Sequence, residues 1–257
     1  MQKGSIILKP YNERYLINKI NEYNNLISLG SIGSFKIINT KERKRVINGY
    51  MYDKDGALDL DILELHGPDN ICMKISPREV ESSYMFIKYA SGRVGVVGLG
   101  LGYVVQELAK KKDISEIIVY EKEKDIIDLY KLSFDENPKV KIINKDAYKA
   151  KKEEFDFFYV DIYEYKLTKQ VVDDYKKFNK IHKIKEYLFW GLEHFLLSCK
   201  YEEIVWVYIP ELWMKISKDI FIAFQNANLL NNYEQLDEEL VSDILSEFKI
   251  IFDDEEE

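Results

Sequence analysis

The sequence has little cysteine and no long apolar run. Its two cysteines, Cys72 and Cys199, stand far apart, which excludes a disulfide framework. The three histidines are scattered without the partner spacing of a zinc site, so we predict no metal. No apolar run approaches the roughly 18 residues that span a bilayer, and the N-terminal residues lack the apolar region of a secretion signal. We therefore expect a cytoplasmic protein without a membrane segment.

Positive charge is outweighed by negative charge, with 37 Lys and Arg residues against 45 Asp and Glu residues. The formal net charge is −8 and the isoelectric point is about 5.2, and an acidic surface repels phosphate backbones, so nucleic acid is not the expected partner. Basic residues do cluster in "KERKR" (41–45) and "KKFNKIHKIKE" (176–186), and we interpret both stretches as solvated faces. Nothing in the composition sets the oligomeric state, and a homo-oligomer is compatible with it.

Residue patterns divide the chain near residue 75. Residues 1–75 combine one predicted helix (12–29) with stretches rich in β-branched and aromatic residues, and "DKDG" at 53–56 is a turn signal between two of them. The predicted strands lie at 34–40, 45–53 and 58–65. We therefore predict a small β-rich N-terminal domain over 1–75, followed by a second domain over 76–257.

Apolar strands alternate with helices from residue 76 onwards. Ser76, Pro77 and Glu79 provide the cap chemistry of a helix start, and strand and helix patterns then alternate as far as about residue 164. Such alternation is typical of a parallel sheet covered by helices on both faces. The predicted fold class is α/β, with a doubly wound, mostly parallel sheet.

The remainder of the chain has a mainly helical pattern. Residues 170–200 form one long amphipathic stretch, and the β-forming run at 203–209 is the expected fifth strand of the sheet. Residues after 210 have helical patterns with a possible strand at the very end. We therefore predict a helical C-terminal region attached to the second domain.

Three glycines two positions apart separate a predicted strand from a predicted helix, in "RVGVVGLGLGYVVQELAKK" (93–111). Gly98 would make the tight turn, Gly100 would let a ligand approach the backbone, and Gly102 would stand where the helix begins. Dinucleotide-binding loops place their third glycine one residue later, where this sequence has Tyr103. A plain strand-to-helix turn that needs glycine only for packing is the alternative.

The segment "VVGLGLGYVVQELAK" resembles the first motif of class I S-adenosylmethionine-dependent methyltransferases. Glu121 ends the next strand, where a carboxylate can accept hydrogen bonds from ribose hydroxyls. In "KDAYK", Asp146 and Ala147 match the Asp-Ala pair that contacts adenine in that superfamily. Asp161 ends "FDFFYVD" at the predicted ligand crevice, where it would hold the methionine ammonium, orient an acceptor or act as a base. The resemblance implies S-adenosylmethionine as the cofactor.

Within the superfamily, the segments 76–110 and 155–164 look most similar to the spermidine-synthase-like branch, whose members also carry a small β-rich N-terminal domain. Two departures count against polyamine synthesis. The acidic residue of that branch's glycine loop is replaced by Leu101, and "DIYEY" stands where those enzymes have an Asp-Ser/Thr-x-Asp-Pro segment. The Asn/Asp-Pro-Pro-Tyr segment of amino methyltransferases acting on DNA bases is absent as well.

Three functions remain open. The first is methyl transfer from S-adenosylmethionine to a small-molecule or protein acceptor, with Asp161 as the candidate catalytic residue. The second is aminopropyl transfer of the spermidine-synthase kind. The third is a non-catalytic nucleotide- or protein-binding module, in which the helical C-terminal region would cover the acceptor side of the crevice. One further cluster, Trp190, Glu193 and His194, would either reach over a pocket or pack as an aromatic stripe.

Overall fold

The structure, a computed structural model, describes residues 12–42, 51–52 and 60–255. The predicted strand at 45–53 lies almost entirely outside these ranges, and the predicted turn at 53–56 lies wholly outside them. Tyr52 forms an isolated antiparallel bridge with Tyr233. The C-terminal region therefore touches the N-terminal part of the chain at this point.

The N-terminal part consists of one helix and one antiparallel sheet. Helix α1 (Glu13–Leu26) begins at Asn12, whose side chain accepts the Arg14 N–H at 3.0 Å and so satisfies an otherwise unpaired donor. Each strand of the four-stranded sheet pairs with its neighbour in the chain. These strands are β1 (Gly30–Ile32), β2 (Phe35–Glu42), β3 (Leu60–His66) and β4 (Ile71–Lys74). The β-rich character is confirmed, and the domain boundary at residue 75 stays a prediction.

A five-stranded parallel sheet forms the centre of the molecule. Its strands are β5 (Gly92–Val97), β6 (Ile114–Glu121), β7 (Val140–Asn144), β8 (Glu154–Val160) and β9 (Lys183–Phe189). Their order across the sheet is β7-β6-β5-β8-β9, and every adjacent pair is parallel. The order reverses between β5 and β8, which is the switch point where ligands bind in open α/β sheets.

Helices cover both faces of this sheet. Tyr159 stacks on Phe86 with ring centroids 4.2 Å apart, whereas the adjacent Phe158 packs against Phe178 at 5.2 Å. Successive strand side chains point to opposite faces, so the helices that carry the two partners lie on opposite sides. The helices are α2 (Pro77–Tyr89), α3 (Tyr103–Ala109), α4 (Lys124–Lys131), α5 (Gln170–Ile181) and α6 (Leu192–Ser198). The predicted α/β class, with a doubly wound, mostly parallel sheet, is confirmed.

The predicted fifth strand at 203–209 is wrong. Those residues belong largely to helix α7 (Tyr201–Val207), and the fifth strand is β9. Ile204 and Val207 are buried three positions apart, while the side chain of Trp206 between them is exposed. This three-residue spacing is a helical periodicity, and here it overrides the β preference of the individual residues.

The long helix predicted over 170–200 is wrong in its middle. Helix α5 ends at Ile181, β9 follows, and α6 starts only at Leu192. The backbone of His182 is extended, and its Nδ1 accepts the Glu153 N–H at 3.2 Å. This bond joins the residue before β9 to the residue before β8. Gly191 then turns the chain at φ +87, a conformation that favours glycine.

Two long helices complete the C-terminal region, α8 (Glu211–Asn226) and α9 (Glu238–Glu255). The strand considered for the end of the chain is absent from the described residues, where α9 continues to Glu255. Phe248 of α9 meets Trp213 edge-on at 5.1 Å and stacks on Phe189 of β9 at 6.4 Å. These helices therefore pack beside the last strand of the sheet. In the described part of the chain, no helix is both long and apolar enough to cross a membrane.

Candidate functional site

A cavity of about 570 Å³ opens at the carboxyl ends of the central strands. Its walls include the loops that follow β5, β6, β7 and β8, so it lies at the switch point of the sheet. Its volume falls within the range of about 300–1,000 Å³ that is usual for small-molecule sites. The predicted site residues that line it are Gly98, Gly100, Glu121, Asp146, Ala147 and Asp161.

Two glycines of the loop are required by the chain itself. Gly98 has φ +95, and a Cβ atom there would lie 2.4 Å from the backbone oxygen of Asp161. Gly102 has φ +80 and immediately precedes α3, as predicted, and a Cβ there would lie 2.5 Å from the ring of Tyr130. Gly102 does not line the cavity. In this structure it therefore serves the turn and the packing of the loop.

Gly100 makes room for a side chain of the N-terminal sheet. A Cβ atom at Gly100 would lie 2.3 Å from Sδ of Met73, the far end of a flexible side chain. The same sulfur accepts the Leu101 N–H at 2.9 Å. Met73 lies on β4, so the N-terminal sheet reaches the glycine loop directly. Nothing in the local pattern of "ICMK" indicates this contact, which joins residues far apart in sequence.

Glu121 holds the loops after β5 and β6 together. Its Oε2 accepts the Leu99 N–H at 3.0 Å, and its Oε1 accepts the Glu123 N–H at 2.9 Å. Burial raises the pKa of the Glu121 carboxyl, although the two N–H groups act in the opposite direction. The carboxylate thus stands at the predicted ribose position and also shapes the glycine loop.

Asp146 begins a short 3₁₀ turn over Ala147–Lys149. Its Oδ1 accepts the Tyr148 N–H at 3.0 Å, and Ala147 is buried beside it. The Tyr148 hydroxyl donates to buried Asp174 of α5 at 2.6 Å, and its ring stacks on Phe178 at 5.1 Å. Tyr148 also lines the large cavity. Sequence reasoning did not include it, although it is the residue next to the predicted pair.

Asp161 stands where two cavities meet. Its N–H donates to the Val97 carbonyl at 3.0 Å, which fixes it just beyond the ends of β5 and β8. A second, smaller cavity of about 140 Å³ shares Asp161 and six other lining residues with the first. Burial raises the pKa of the Asp161 carboxyl, so this group can take up a proton nearer neutral pH than an ordinary aspartate.

Glu79 is the acidic group that sequence reasoning missed. It was interpreted as part of a helix cap, but Ser76 makes no side-chain cap bond and the Glu79 side chain lines the small cavity. Glu79 is 1% exposed, and its Oε1 has no hydrogen-bond partner among the described residues. Burial and the nearby Asp161 raise the pKa of Glu79 well above its usual range. No signal in the sequence distinguishes Glu79 from Glu81, Ser82 and Ser83, which are also polar and buried on α2.

The aromatic cluster divides between the two interpretations given for it. Trp190 lines the small cavity. Glu193 is buried in α6, where burial raises the pKa of its carboxyl to about 8. Nε2 of His194 donates to the Glu234 carbonyl at 2.9 Å, and burial lowers the pKa of the imidazole to about 4. Neither Glu193 nor His194 lines either cavity, so these two residues belong to the packing of the C-terminal region.

The N-terminal sheet forms the outer wall of both cavities. Asn70, in the turn between β3 and β4, donates from Nδ2 to Oε1 of Glu164 at 3.1 Å. The Lys74 N–H donates to the Tyr165 hydroxyl at 2.5 Å. Among the described residues, none after Trp190 lines either cavity. The helical C-terminal region therefore does not cover the crevice in the way the binding-module alternative anticipated.

No protein-family model matches the sequence, and no curated protein matches it. Solved structures that resemble part of the chain include the spermidine synthase of Thermotoga maritima, with a TM-score of 0.34 and 16% identity over 52% of this chain and 59% of that one. A spermidine synthase in complex with the transition state analogue AdoDATO gives a TM-score of 0.35 and 18% identity over 56% and 55% of the two chains.

A SAM-dependent methyltransferase of Leishmania major is similar at a TM-score of 0.34 and 18% identity, over 43% of this chain and 48% of that one. The chain thus spans less than two thirds of the length of each of these three proteins. The assignment of the fold rests on the strand order and the helices on both faces of the sheet.

Proposed function

We propose that this protein binds S-adenosylmethionine in the large cavity and transfers its methyl group to a small-molecule or protein acceptor. One observation carries the proposal: the loops after four parallel strands bring six residues, predicted from sequence, to one cavity of about 570 Å³. The cavity presents Glu121, the pair Asp146 and Ala147, and Asp161 around the glycine loop. A nucleoside with a charged amino-acid tail requires polar groups of these kinds.

Each part of the cofactor has a candidate partner in this cavity. Glu121 would accept hydrogen bonds from the ribose, and Asp146 and Ala147 would meet the adenine. Gly98 and Asp161 would face the methionine end. The residues fit the group because the Glu121 carboxylate, which two N–H groups hold at the strand end, lines the same cavity as Asp146 and Asp161.

The bound cofactor would supply an electrophilic methyl group on a sulfonium. The chain's own contribution is then to position the acceptor and to remove its proton. Asp161 is suited to the second task, because burial raises the pKa of its carboxyl and it lies between the two cavities. The acceptor would enter through the small cavity, which Asp161 also lines.

Aminopropyl transfer is the second candidate, and the acidic lining of the small cavity favours it. Glu79, Asp161 and Glu164 all line that cavity, as an amine acceptor would require. Leu101 counts against it, since it is buried and gives the glycine loop no acidic side chain. The two candidates differ in the donor molecule and can be separated by binding.

Calorimetric titration of the full chain with S-adenosylmethionine, its decarboxylated form, S-adenosylhomocysteine and NAD tests the proposal. We expect S-adenosylmethionine and S-adenosylhomocysteine to bind and NAD not to bind. Tighter binding of the decarboxylated form would favour aminopropyl transfer. Binding of NAD alone, or of none of the four, would contradict the proposal.

Transfer itself is tested with S-adenosylmethionine labelled in the methyl group, offered with amines, alcohols and proteins. The Asp161→Asn variant should retain cofactor binding and lose turnover by about two to four orders of magnitude, the usual effect of losing a general base. A loss of cofactor affinity in this variant would instead assign Asp161 to the cofactor's ammonium. Binding without any transfer by the unmodified protein would favour the non-catalytic module.

A further inference from the structure

We infer that a third cavity, lined by three lysines, binds a nucleotide through its phosphate group and its base. This lysine cavity contains Lys152, Lys183 and Lys185 in its walls and has a volume of about 670 Å³. Small-molecule sites usually have volumes of about 300–1,000 Å³. The lysine cavity shares no lining residue with the two cavities of the candidate site, so the inference is independent of the proposed function.

The lysine cavity lies at the amino ends of the last two strands of the sheet. Lys152 stands shortly before β8, and His182 immediately precedes β9, which begins with Lys183. Because β8 and β9 are parallel, these ends face away from the carboxyl ends, where the candidate site lies. Helix α5 adds Asn179 to the wall, and the residues after α7 add Tyr208. Separate segments of the chain therefore build one concave surface.

Positive charge is concentrated in this cavity although the protein as a whole is acidic. The formal net charge is −8, yet none of the described residues that line the lysine cavity is an aspartate or a glutamate. The large cavity differs, because Glu121, Asp146 and Asp161 all line it. The two ends of the sheet thus present cavities of opposite charge, and the lysine cavity favours an anion.

The lysines are available to a ligand. Lys152 makes no ion pair within the described part of the chain. Lys183 meets Glu154 at 3.3 Å, and its side chain is 66% exposed. Lys185 meets Asp156 at 2.6 Å, and its side chain is 71% exposed. Ion pairs this exposed contribute little to stability, so a phosphate group can replace the carboxylates at small cost.

His182 carries an N–H group that no described residue accepts. The residue is 2% exposed and lines the lysine cavity. Its Nδ1 accepts the Glu153 N–H at 3.2 Å, so the ring carries its proton on Nε2. Nε2 has no hydrogen-bond partner in the described ranges. Buried polar groups are nearly always hydrogen-bonded, and an unused donor agrees with a ligand whose oxygen atoms are acceptors.

An exposed aromatic ring stands beside the lysines. Tyr208 follows α7 with left-handed backbone at φ 53, and it is 68% exposed. Such backbone is uncommon for a bulky residue, and residues of this kind cluster at ligand sites. A flat, exposed ring is a stacking surface for a planar base. Tyr208 therefore favours a nucleotide over inorganic phosphate.

The phosphate group of a nucleotide matches the three lysines. A phosphate monoester carries nearly two negative charges at neutral pH and presents several strong acceptor oxygens. Lysine binds phosphate as a compact point charge on a flexible stem, so no fixed geometry is required of the three side chains. The basic segment 176–186, interpreted from sequence as a solvated face, thus has residues 182–185 in the wall of a cavity.

Calorimetry of the full chain with uridine monophosphate, uridine and ribose 5-phosphate tests the site. Uracil probes are used because an adenine probe is a candidate for the large cavity as well. Uridine monophosphate should bind more tightly than uridine by about tenfold or more, because only the former carries the phosphate. It should also bind more tightly than ribose 5-phosphate by about fivefold or more, because only the former carries a base. Equal affinities of uridine monophosphate and uridine would overturn the inference.

A pair of neighbouring lysines assigns the phosphate to the cavity. Lys152→Glu places a negative charge in the wall and should lower the affinity for uridine monophosphate by about tenfold or more. Lys151→Glu is the matched control, because Lys151 is equally an exposed lysine but does not line the cavity, and its charge is screened by solvent. The control should stay within about twofold of the unmodified protein. Equal losses in the two variants would refute the cavity as the site.

Tyr208→Asn tests the base. Asparagine tolerates left-handed backbone, so the change removes the ring without adding strain. The affinity for uridine monophosphate should fall about fivefold, while that for ribose 5-phosphate should not change. Equal losses for both probes would contradict stacking. A single-stranded oligouridylate that binds far more tightly than uridine monophosphate, and loses affinity equally in Lys151→Glu and Lys152→Glu, would indicate an extended nucleic-acid surface and would also overturn the inference.

Discussion

Two turns of the central sheet use glycine in the same way and build different surroundings. Gly98, after β5, and Gly191, after β9, both have positive φ and lead from a strand towards a helix. A Cβ at Gly98 would lie 2.4 Å from a backbone oxygen, whereas a Cβ at Gly191 would meet only a Leu167 methyl at an ordinary 3.5 Å. Gly98 therefore needs both a positive φ and the absence of a Cβ next to the Asp161 carbonyl. Gly191 needs only the positive φ.

The difference follows from the position of each turn in the sheet. The β5 turn lies at the switch point of the sheet. There the parallel strand β8 ends beside it, and a cavity opens between the loops that follow the two strands. The β9 turn lies at the sheet edge and leads into α6, where Glu193 is buried. A glycine after a strand therefore indicates a turn, and the neighbouring strand end decides whether the turn must also approach another backbone segment closely.

The largest effect is expected from Gly98→Ala. The added Cβ meets the Asp161 carbonyl, which is backbone and cannot rotate away, at a φ of +95. Strain and overpacking together should lower the free energy of unfolding by about 3–5 kcal/mol, as urea denaturation would measure. Gly30→Ala is the control, because its Cβ meets only methyl groups of Leu132 and Leu129, at ordinary distances of 3.5 and 3.9 Å. Equal losses in the two variants would contradict the close-approach argument.

Glu193, the buried acid that follows the Gly191 turn, should destabilise the folded protein at high pH. Burial raises the pKa of Glu193 to about 8, so its favourable contribution is complete below its unfolded pKa of about 4.5 and is lost as pH rises towards 8. Glu193→Gln removes this loss and should raise the free energy of unfolding at pH 8.5 by on the order of 3 kcal/mol. Near pH 4.5 the two proteins should differ little. A gain that is the same at both pH values would refute the buried carboxyl as its cause.

Glu121 tests whether the first turn is a ligand site. Glu121→Ala removes a charge-assisted acceptor at the end of β6, so S-adenosylhomocysteine should bind more weakly by about 2–3 kcal/mol in calorimetry. Glu121→Gln keeps one oxygen for the Leu99 or Glu123 N–H and serves as the matched variant, with a smaller loss expected. Unchanged affinity in a folded Glu121→Ala protein would rule out the ribose role.

The predictability of the two turns from sequence differs for a physical reason. Strand, glycine loop and helix follow one another over residues 93–109, so local patterns suffice to place β5, Gly98 and α3. Asp161 was found in the same way, as the end of an apolar run. Around β9 the local pattern is misleading, because the charged residues in "KIKEYLF" suit an amphipathic helix as well as an edge strand.

Glu79 and Met73 could not be found locally at all. Both reach the site from outside the motif, and the contact between Met73 and the glycine loop joins positions 28 residues apart. In the sequence, Glu79 is explained by its place in the first turn of a helix. Only the fold shows that it lines the same small cavity as Asp161 at the end of β8. Side chains that enter a site across a domain or from a preceding helix leave no spacing signal in one sequence.

The smallest effect is expected from Gly191→Ala, which sharpens the comparison of the two turns. Its backbone has φ +87, so alanine should cost about 1–2 kcal/mol of unfolding free energy. The new methyl meets Leu167 at an ordinary distance, so no clash adds to this cost. Gly191→Asn should cost less, because asparagine tolerates left-handed backbone better than alanine. S-adenosylhomocysteine affinity should stay within twofold in both variants, since Gly191 does not line the large cavity. If Gly191→Ala abolished that affinity while unfolding hardly changed, the second turn would also be a ligand site, and the distinction drawn between the two turns would fail.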